Sequence, residues 1–360
     1  MSHYEERLEH DLQRIRGGIA DMAARVDTAI RNAVHAFQTG NRELATATIL
    51  ADHTINRAMR EIDRLCHAFI AVHLPSGSHL RLLSSAIRAN IALERIGDYA
   101  VTIARASGQL SGPPDGEMGR ELERIAVEAC VMLEQSIGAF NALNAEQARA
   151  TMVLEKEMEY DLESVYSELT ANPDREKVKE LLVVFVVLTH LKRVADQAKN
   201  LCEETVFAVT GEGKAPKVYN ILFIDEDNSC LSKMAELLAR KAYPASGRYS
   251  SCGRNPASAL NPHMVRFLES HGFDLTDARP EPLDLTHPEL VDKHIVVSLQ
   301  GPVQSYFPQL PFHTTAVEWD VGPVPSGSVG EQGEQWEALY RDIATRVRDL
   351  MEILRGPGAP

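Results

Sequence analysis

The sequence predicts two domains of different kinds, an all-α six-helix bundle followed by an α/β domain with a central parallel sheet. Three observations lead there. Across residues 1–210, apolar residues recur at three- and four-residue spacing. Pro and Gly cluster there only at breaks such as Leu74-Pro-Ser-Gly77 and Leu110-Ser-Gly-Pro-Pro-Asp-Gly116. The polar stretch 211–217 (GEGKAPK) then reads as a linker. From 218 to 356, short β-type runs alternate with helical ones. A chain of 360 residues, 44% of them hydrophobic, is long enough to bury a core in each domain.

The helical part reads as two copies of one unit, about 5–108 and 116–208. Asn41-Arg-Glu-Leu-Ala-Thr-Ala-Thr-Ile-Leu-Ala-Asp52 lies over Asn144-Ala-Glu-Gln-Ala-Arg-Ala-Thr-Met-Val-Leu-Glu155. Farther on, Leu93-Glu-Arg-Ile-Gly-Asp-Tyr-Ala100 lies over Leu191-Lys-Arg-Val-Ala-Asp-Gln-Ala198. The two shifts differ by five residues, absorbed at the longer Ala71–Gly77 segment of the first copy. Two matching blocks in the same order argue for a repeat, with room for three helices in each copy.

In the α/β part, Val218–Ile224, His294–Leu299 and Thr315–Trp319 are the expected strands. Leu231–Ala242, His263–His271 and Glu334–Leu354 are the expected helices.

Bulk properties exclude several classes. Net charge is −14, which disfavours nucleic acid and anionic membrane surfaces. The polar start MSHYEERLEHD gives no secretory signal. The longest apolar run, Leu181–Leu188, is too short to span a bilayer, so no direct membrane insertion is expected. Five scattered cysteines without a CxxC fit reduced thiols in a cytoplasmic protein.

Carboxylates stand out in the first copy. Leu93, Ile96, Ala100 and Ile103 form an apolar stripe. At about 100° per residue, Glu94 and Asp98 fall on the opposite face, one turn apart. Asp52 and Asn56 repeat that four-residue spacing on the preceding helix. Four oxygen donors that converge would suit a hard cation such as Mg, Mn or ferric iron. A solvated polar face is the plainer alternative.

Together, the Leu93–Ala100 block, the Pro75–Arg81 segment and Asp52/Asn56 resemble the phosphate-uptake regulator family PhoU over about residues 3–210. That resemblance implies two three-helix repeats with metal-holding acidic motifs, and a protein that commonly forms homodimers. It also implies a cytoplasmic negative regulator between a phosphate transporter ATPase and a sensor histidine kinase. Carried over residue by residue, the first motif is complete: Asp52, Asn56, Glu94 and Asp98. The second keeps Glu155, Glu159 and Asp196, but Lys192 stands in place of a glutamate. A weak or absent second site is the expectation.

Ile221-Leu-Phe-Ile-Asp-Glu-Asp-Asn-Ser-Cys-Leu-Ser-Lys-Met-Ala-Glu236 reads as strand, loop and helix, the setting in which many α/β proteins hold phosphate. A two-component receiver would need a phospho-acceptor Asp and a downstream Lys. A haloacid-dehalogenase-type site would need a later acidic pair, and neither requirement is met. The loop instead resembles the low-molecular-weight tyrosine phosphatase and arsenate reductase family. Asn228, Ser229, Cys230, Ser232 and Met234-Ala-Glu236 match its phosphate loop. Ser250–Pro256, Leu260–Leu275, Trp319–Pro323 and Trp336–Leu354 extend the match to about 218–356.

That chemistry needs a thiolate nucleophile, an arginine for the developing charge and a general acid. Asp225 occupies the first position, Leu231 the second, and Gly322 the third. The sequence therefore predicts a degenerate site and no enzyme. Two alternatives stay open: a phosphatase or arsenate reductase using Asp225 as nucleophile, and a domain sensing a cation or an anion. A Cys230–Cys252 redox pair is weighed against two buried small hydrophobes, and the latter is favoured.

Overall fold

The computed structural model describes residues 3–110, 112–114, 116–157, 175–284, 287–311 and 313–356. The chain forms two compact units, Met1–Lys214 and Ala215–Pro360. The first holds α1 (His3–Thr39), α2 (Arg42–His73), α3 (Gly77–Ala106), α4 (Gly116–Ala142), α5 (Ala145–Thr151) and α6 (Arg175–Thr210). None of these helices is long and apolar enough to cross a membrane. Each turns a 3.6-period stripe inward: Leu12, Ile15, Ile19, Met22, Val26 and Ile30 on α1, and Leu93, Ile96, Ala100 and Ile103 on α3.

The sequence repeat is also a backbone repeat. Gly40 and Leu143 both have positive φ, at 67° and 50°. The next residues, Asn41 and Asn144, both cap a helix. Asn41 Oδ1 accepts from Leu44 N at 3.0 Å, and Asn144 Oδ1 from Gln147 N at 3.0 Å. Their own amides donate back to Ala36 O and Ala139 O. Leucine disfavours the left-handed region, so its presence at 143 shows that the connection dictates the backbone there.

The second unit is built on a four-stranded, all-parallel sheet in the order β2-β1-β3-β4. The strands are β1 (Tyr219–Asp225), β2 (Gly247–Gly253), β3 (Ile295–Ser298) and β4 (Thr315–Glu318). Helices α7 (Leu231–Ala242), α8 (Pro262–Ser270), α9 (His287–Val291) and α10 (Val329–Arg355) complete the unit. Alternation along β1 divides the apolar residues between the two sheet faces. Ile221 and Phe223 join a core with Met234, Phe267 and Trp336, while Leu222 and Ile224 join Leu290, Val296 and Val303.

The chain leaves β1 toward β2 on one side and later returns to β3 on the other. The carboxyl end of β1 is therefore the topological switch point, where doubly wound sheets place ligands.

Candidate functional site

A glycine sets the distance between α2 and α3. A Cβ on Gly97 would lie 3.2 Å from Ile55 Cδ1 and 3.4 Å from Asp52 Oδ1. Its absence lets Asp52 settle against the middle of α3. Asn56 Nδ2 donates to Asp52 Oδ2 at 2.6 Å, whereas Asp52 Oδ1 is buried without a partner among the described residues. Burial pushes the Asp52 and Glu94 carboxyls above the ordinary range. Repulsion from Asp98 adds to both, and Asp52 adds further to Glu94.

The three acids thus share one electrostatic neighbourhood, as the helical spacing requires. They are not drawn into a ready-made cage: among the described residues no group of three His, Cys, Asp or Glu is placed to hold a metal ion. The orphaned Asp52 oxygen and the all-oxygen donor set nevertheless fit a hard cation. In the second repeat, Lys192 and Asp196 lie on α6. The side chain of Glu155, and Glu159 altogether, fall outside the described residues.

The loop at the end of β1 is organised around one carboxylate. Asp225 is buried, with 1% of its surface exposed. Its Oδ1 accepts from Asn228 N at 2.6 Å and its Oδ2 from Ser232 N at 2.8 Å. Both amides belong to the turn that opens α7, so the side chain of Asp225 lies where the loop would otherwise present donors to an anion. Burial raises the Asp225 carboxyl above its usual range, and the two amides pull in the other direction.

Asn228 holds the loop in shape from the left-handed region, at φ 53°. Its Nδ2 donates to Ser232 Oγ at 2.7 Å and Ser251 Oγ at 2.9 Å, and its Oδ1 accepts from Glu281 N at 2.8 Å. Ser251 Oγ donates to Glu236 Oε2 at 2.6 Å. Buried Glu236 is neutralised by Lys233 at 2.9 Å and by Arg240. Gly253 lets the turn pass overhead, since a Cβ there would come within 2.6 Å of Asn228 N. The sequence pointed to Asn228 and Ser232 by resemblance. Ser251 and Gly253 lie in the matched Ser250–Pro256 stretch, but their contacts with the loop, and Glu281 altogether, carried no signal, because they act across strands and loops.

The other acids of the stretch are committed as well. Asp227 Oδ1 accepts from Ser229 N at 2.9 Å. Glu226 accepts from Asn255 Nδ2 at 2.6 Å and faces Arg254 at 3.7 Å. The Arg254 guanidinium stacks over Tyr306, 4.5 Å from the ring centroid. Leu231 begins α7 as a buried core residue.

In the Trp319–Pro323 loop, Trp319 packs on Phe223. Asp320 Oδ1 accepts from Gly322 N at 3.3 Å, within its own loop. Cys230 and Cys252 are free and buried, in separate cores on the two faces of the sheet. Burial pushes the Cys252 thiol to about 12 and that of Cys230 higher still.

Comparison with known proteins agrees with this division. The family model "PhoU domain" matches residues 19–107 and again 118–205. The helical unit is a two-repeat PhoU domain. The model "Low molecular weight phosphotyrosine protein phosphatase" matches residues 220–355 of the second unit. A phosphate-specific transport system accessory protein PhoU homolog from Pseudomonas aeruginosa is 27% identical over 212 residues, covering 58% of this chain and 88% of that protein. The Escherichia coli accessory protein PhoU is 24% identical over the same shares.

The PhoU crystal structure from Pseudomonas aeruginosa matches with a TM-score of 0.54 and 28% identity, covering 57% of this chain and 99% of that one. The curated PhoU relatives thus align with the helical unit, and the phosphatase-like unit is the part beyond them. An arsenate reductase in the phosphate-binding state covers 38% of this chain at 18% identity and a TM-score of 0.32.

Proposed function

We propose that the chain is a non-enzymatic regulator of phosphate uptake and phosphate-starvation signalling, with a catalytically inactive phosphatase-like domain as an accessory module. The PhoU domain, whose relatives are phosphate-specific transport system accessory proteins, supports the regulatory half. The inactivity half rests on Asp225: its carboxylate takes two of the loop amides, those of Asn228 and Ser232, and Leu231 offers no positive charge. Asp225 as a nucleophile is disfavoured, because both of its oxygens already accept hydrogen bonds and the group is buried. A cation-sensing loop is disfavoured, because Glu226 and Asp227 also have protein partners.

In this proposal Asp52, Asn56, Glu94 and Asp98 hold a divalent or ferric ion. When bound, the ion cancels the repulsion among the carboxylates and stiffens the α2–α3 face. The partners are a sensor histidine kinase and a phosphate transporter ATPase, met in the cytoplasm by a homodimer. Acidic helical faces suit docking to basic partner surfaces. Affinity capture from phosphate-replete and phosphate-starved cells tests the scheme. The expectation is recovery of kinase or transporter ATPase, reduced by Asp98→Ala. Capture of neither under both conditions rules the regulatory reading out.

A further inference from the structure

A cleft of about 510 Å³ opens between α3 and α6, inside the helical unit. Its origin lies in the repeat. The Leu93/Leu191 alignment makes Tyr99 the mate of Gln197, and Ala92 the mate of His190. On one side of the α3–α6 pair, Tyr99 and His190 meet edge to face with ring centroids 5.6 Å apart. The mates of this aromatic pair are Gln197 and Ala92, and both line the cleft. Space filled by two rings in one half is therefore open in the other.

The walls are specific. Phe207 and Arg88 both line it, with the Arg88 guanidinium over the Phe207 ring, 5.1 Å from its centroid. Arg88 Nε donates to Glu204 Oε1 at 2.5 Å, while Glu204 Oε2 is buried with no partner among the described residues. That oxygen calls for an N–H or O–H donor. At the mouth, Arg95 is exposed and has no hydrogen-bonded partner among the described residues, and Lys214 is held by Glu203 at 2.9 Å.

We propose that this cleft binds a purine nucleotide, with its base in the space that the Tyr99–His190 pair fills in the other half and its phosphates against Arg95 and Lys214. The exocyclic or ring N–H of the base satisfies Glu204 Oε2, and the ring lies along Phe207. The volume falls within the ~300–1,000 Å³ typical of small-molecule sites. The proposal goes beyond the regulatory reading and stands without it, since its readout involves no partner.

Calorimetric titration of the full chain in chelator, with ATP, ADP, GTP, pyrophosphate and inorganic phosphate in turn, tests it. One nucleotide per chain is expected, at least about tenfold tighter than pyrophosphate, which lacks a base. Arg95→Glu should weaken binding by about tenfold or more. The double change Ala92→His with Gln197→Tyr should rebuild the aromatic pair and abolish binding, with the helical circular dichroism retained. Should that double variant misfold, Arg95→Glu on the exposed face of α3 still decides. No saturable heat with any nucleotide, pyrophosphate binding as tightly as nucleotide, or wild-type affinity in folded variants would each overturn the assignment.

Discussion

The two carboxylate-bearing regions of this chain are opposites in one respect. On α2 and α3, Asp52 keeps an oxygen buried and unpartnered among the described residues, beside Glu94 and Asp98, which repel it. At the end of β1, Asp225 is more deeply buried, yet each of its oxygens receives a backbone amide. An acid left short of donors suits the proposed cation. An acid supplied by its own loop already has its donors, and it takes two amides that an anion would otherwise meet. Acidic residues alone therefore do not identify a binding site; the accounting of their donors does.

The largest effect should come from removing the satisfied acid. Asp225→Ala strands two buried amides and should cost about 2–4 kcal/mol. Thermal melts should show the transition of the phosphatase-like unit moving down by several degrees, with the helical transition unmoved. Metal addition probes the other region next. At a metal concentration 100-fold above its dissociation constant, the helical unit should gain about 2.7 kcal/mol. Asp98→Ala should lose that gain, and metal analysis of the purified protein should fall in parallel.

A smaller effect separates the two regions by sign. In chelator at pH 7, Asp52→Asn should stabilise the helical unit by about 0.5–1 kcal/mol, since it removes a buried, repelled charge. The folded Asp52 and Glu94 carboxyls lie above their unfolded values, so the folded state binds more protons in the window between the two. Metal-free stability contributed by these groups is fully present below the unfolded value and is lost as pH rises through the folded one. The Asp52→Asn gain should shrink accordingly as pH falls through the carboxylate range, which melts at stepped pH would register. Least of all, mild peroxide should leave the thiol count unchanged, since Cys230 and Cys252 are buried in separate cores.

Much of the fold was legible because it rests on periodicity. The α3 stripe of Leu93, Ile96, Ala100 and Ile103 is fully buried, and the expected strand Val218–Ile224 is an inner strand, shifted by one residue to Tyr219–Asp225. Strand β2 was harder: Gly247-Arg-Tyr-Ser-Ser-Cys-Gly253 is too polar to read as a buried strand, and only the family resemblance located it. Helix α9 is five residues long and left no periodic trace. In the loop, the missing thiol and guanidinium could be read from Asp225 and Leu231. The internal hydrogen bonding of Asp225 could not. It depends on the left-handed turn at Asn228 and on a cross-strand contact at Ser251, which spacing along the chain does not encode. The α3–α6 cleft was hidden for a similar reason, since it emerges only when the two repeats are compared as packed helices.

The proposed inactivity turns on Asp225, which stands where the phosphatase chemistry needs a thiolate and takes two amides of the loop. Hydrolysis of an aryl phosphate by the purified full chain measures this most directly, beside Asp225→Asn and a double variant carrying Asp225→Cys and Leu231→Arg. No turnover above buffer is expected of the wild-type chain or of Asp225→Asn. Wild-type turnover that disappears in Asp225→Asn would contradict it.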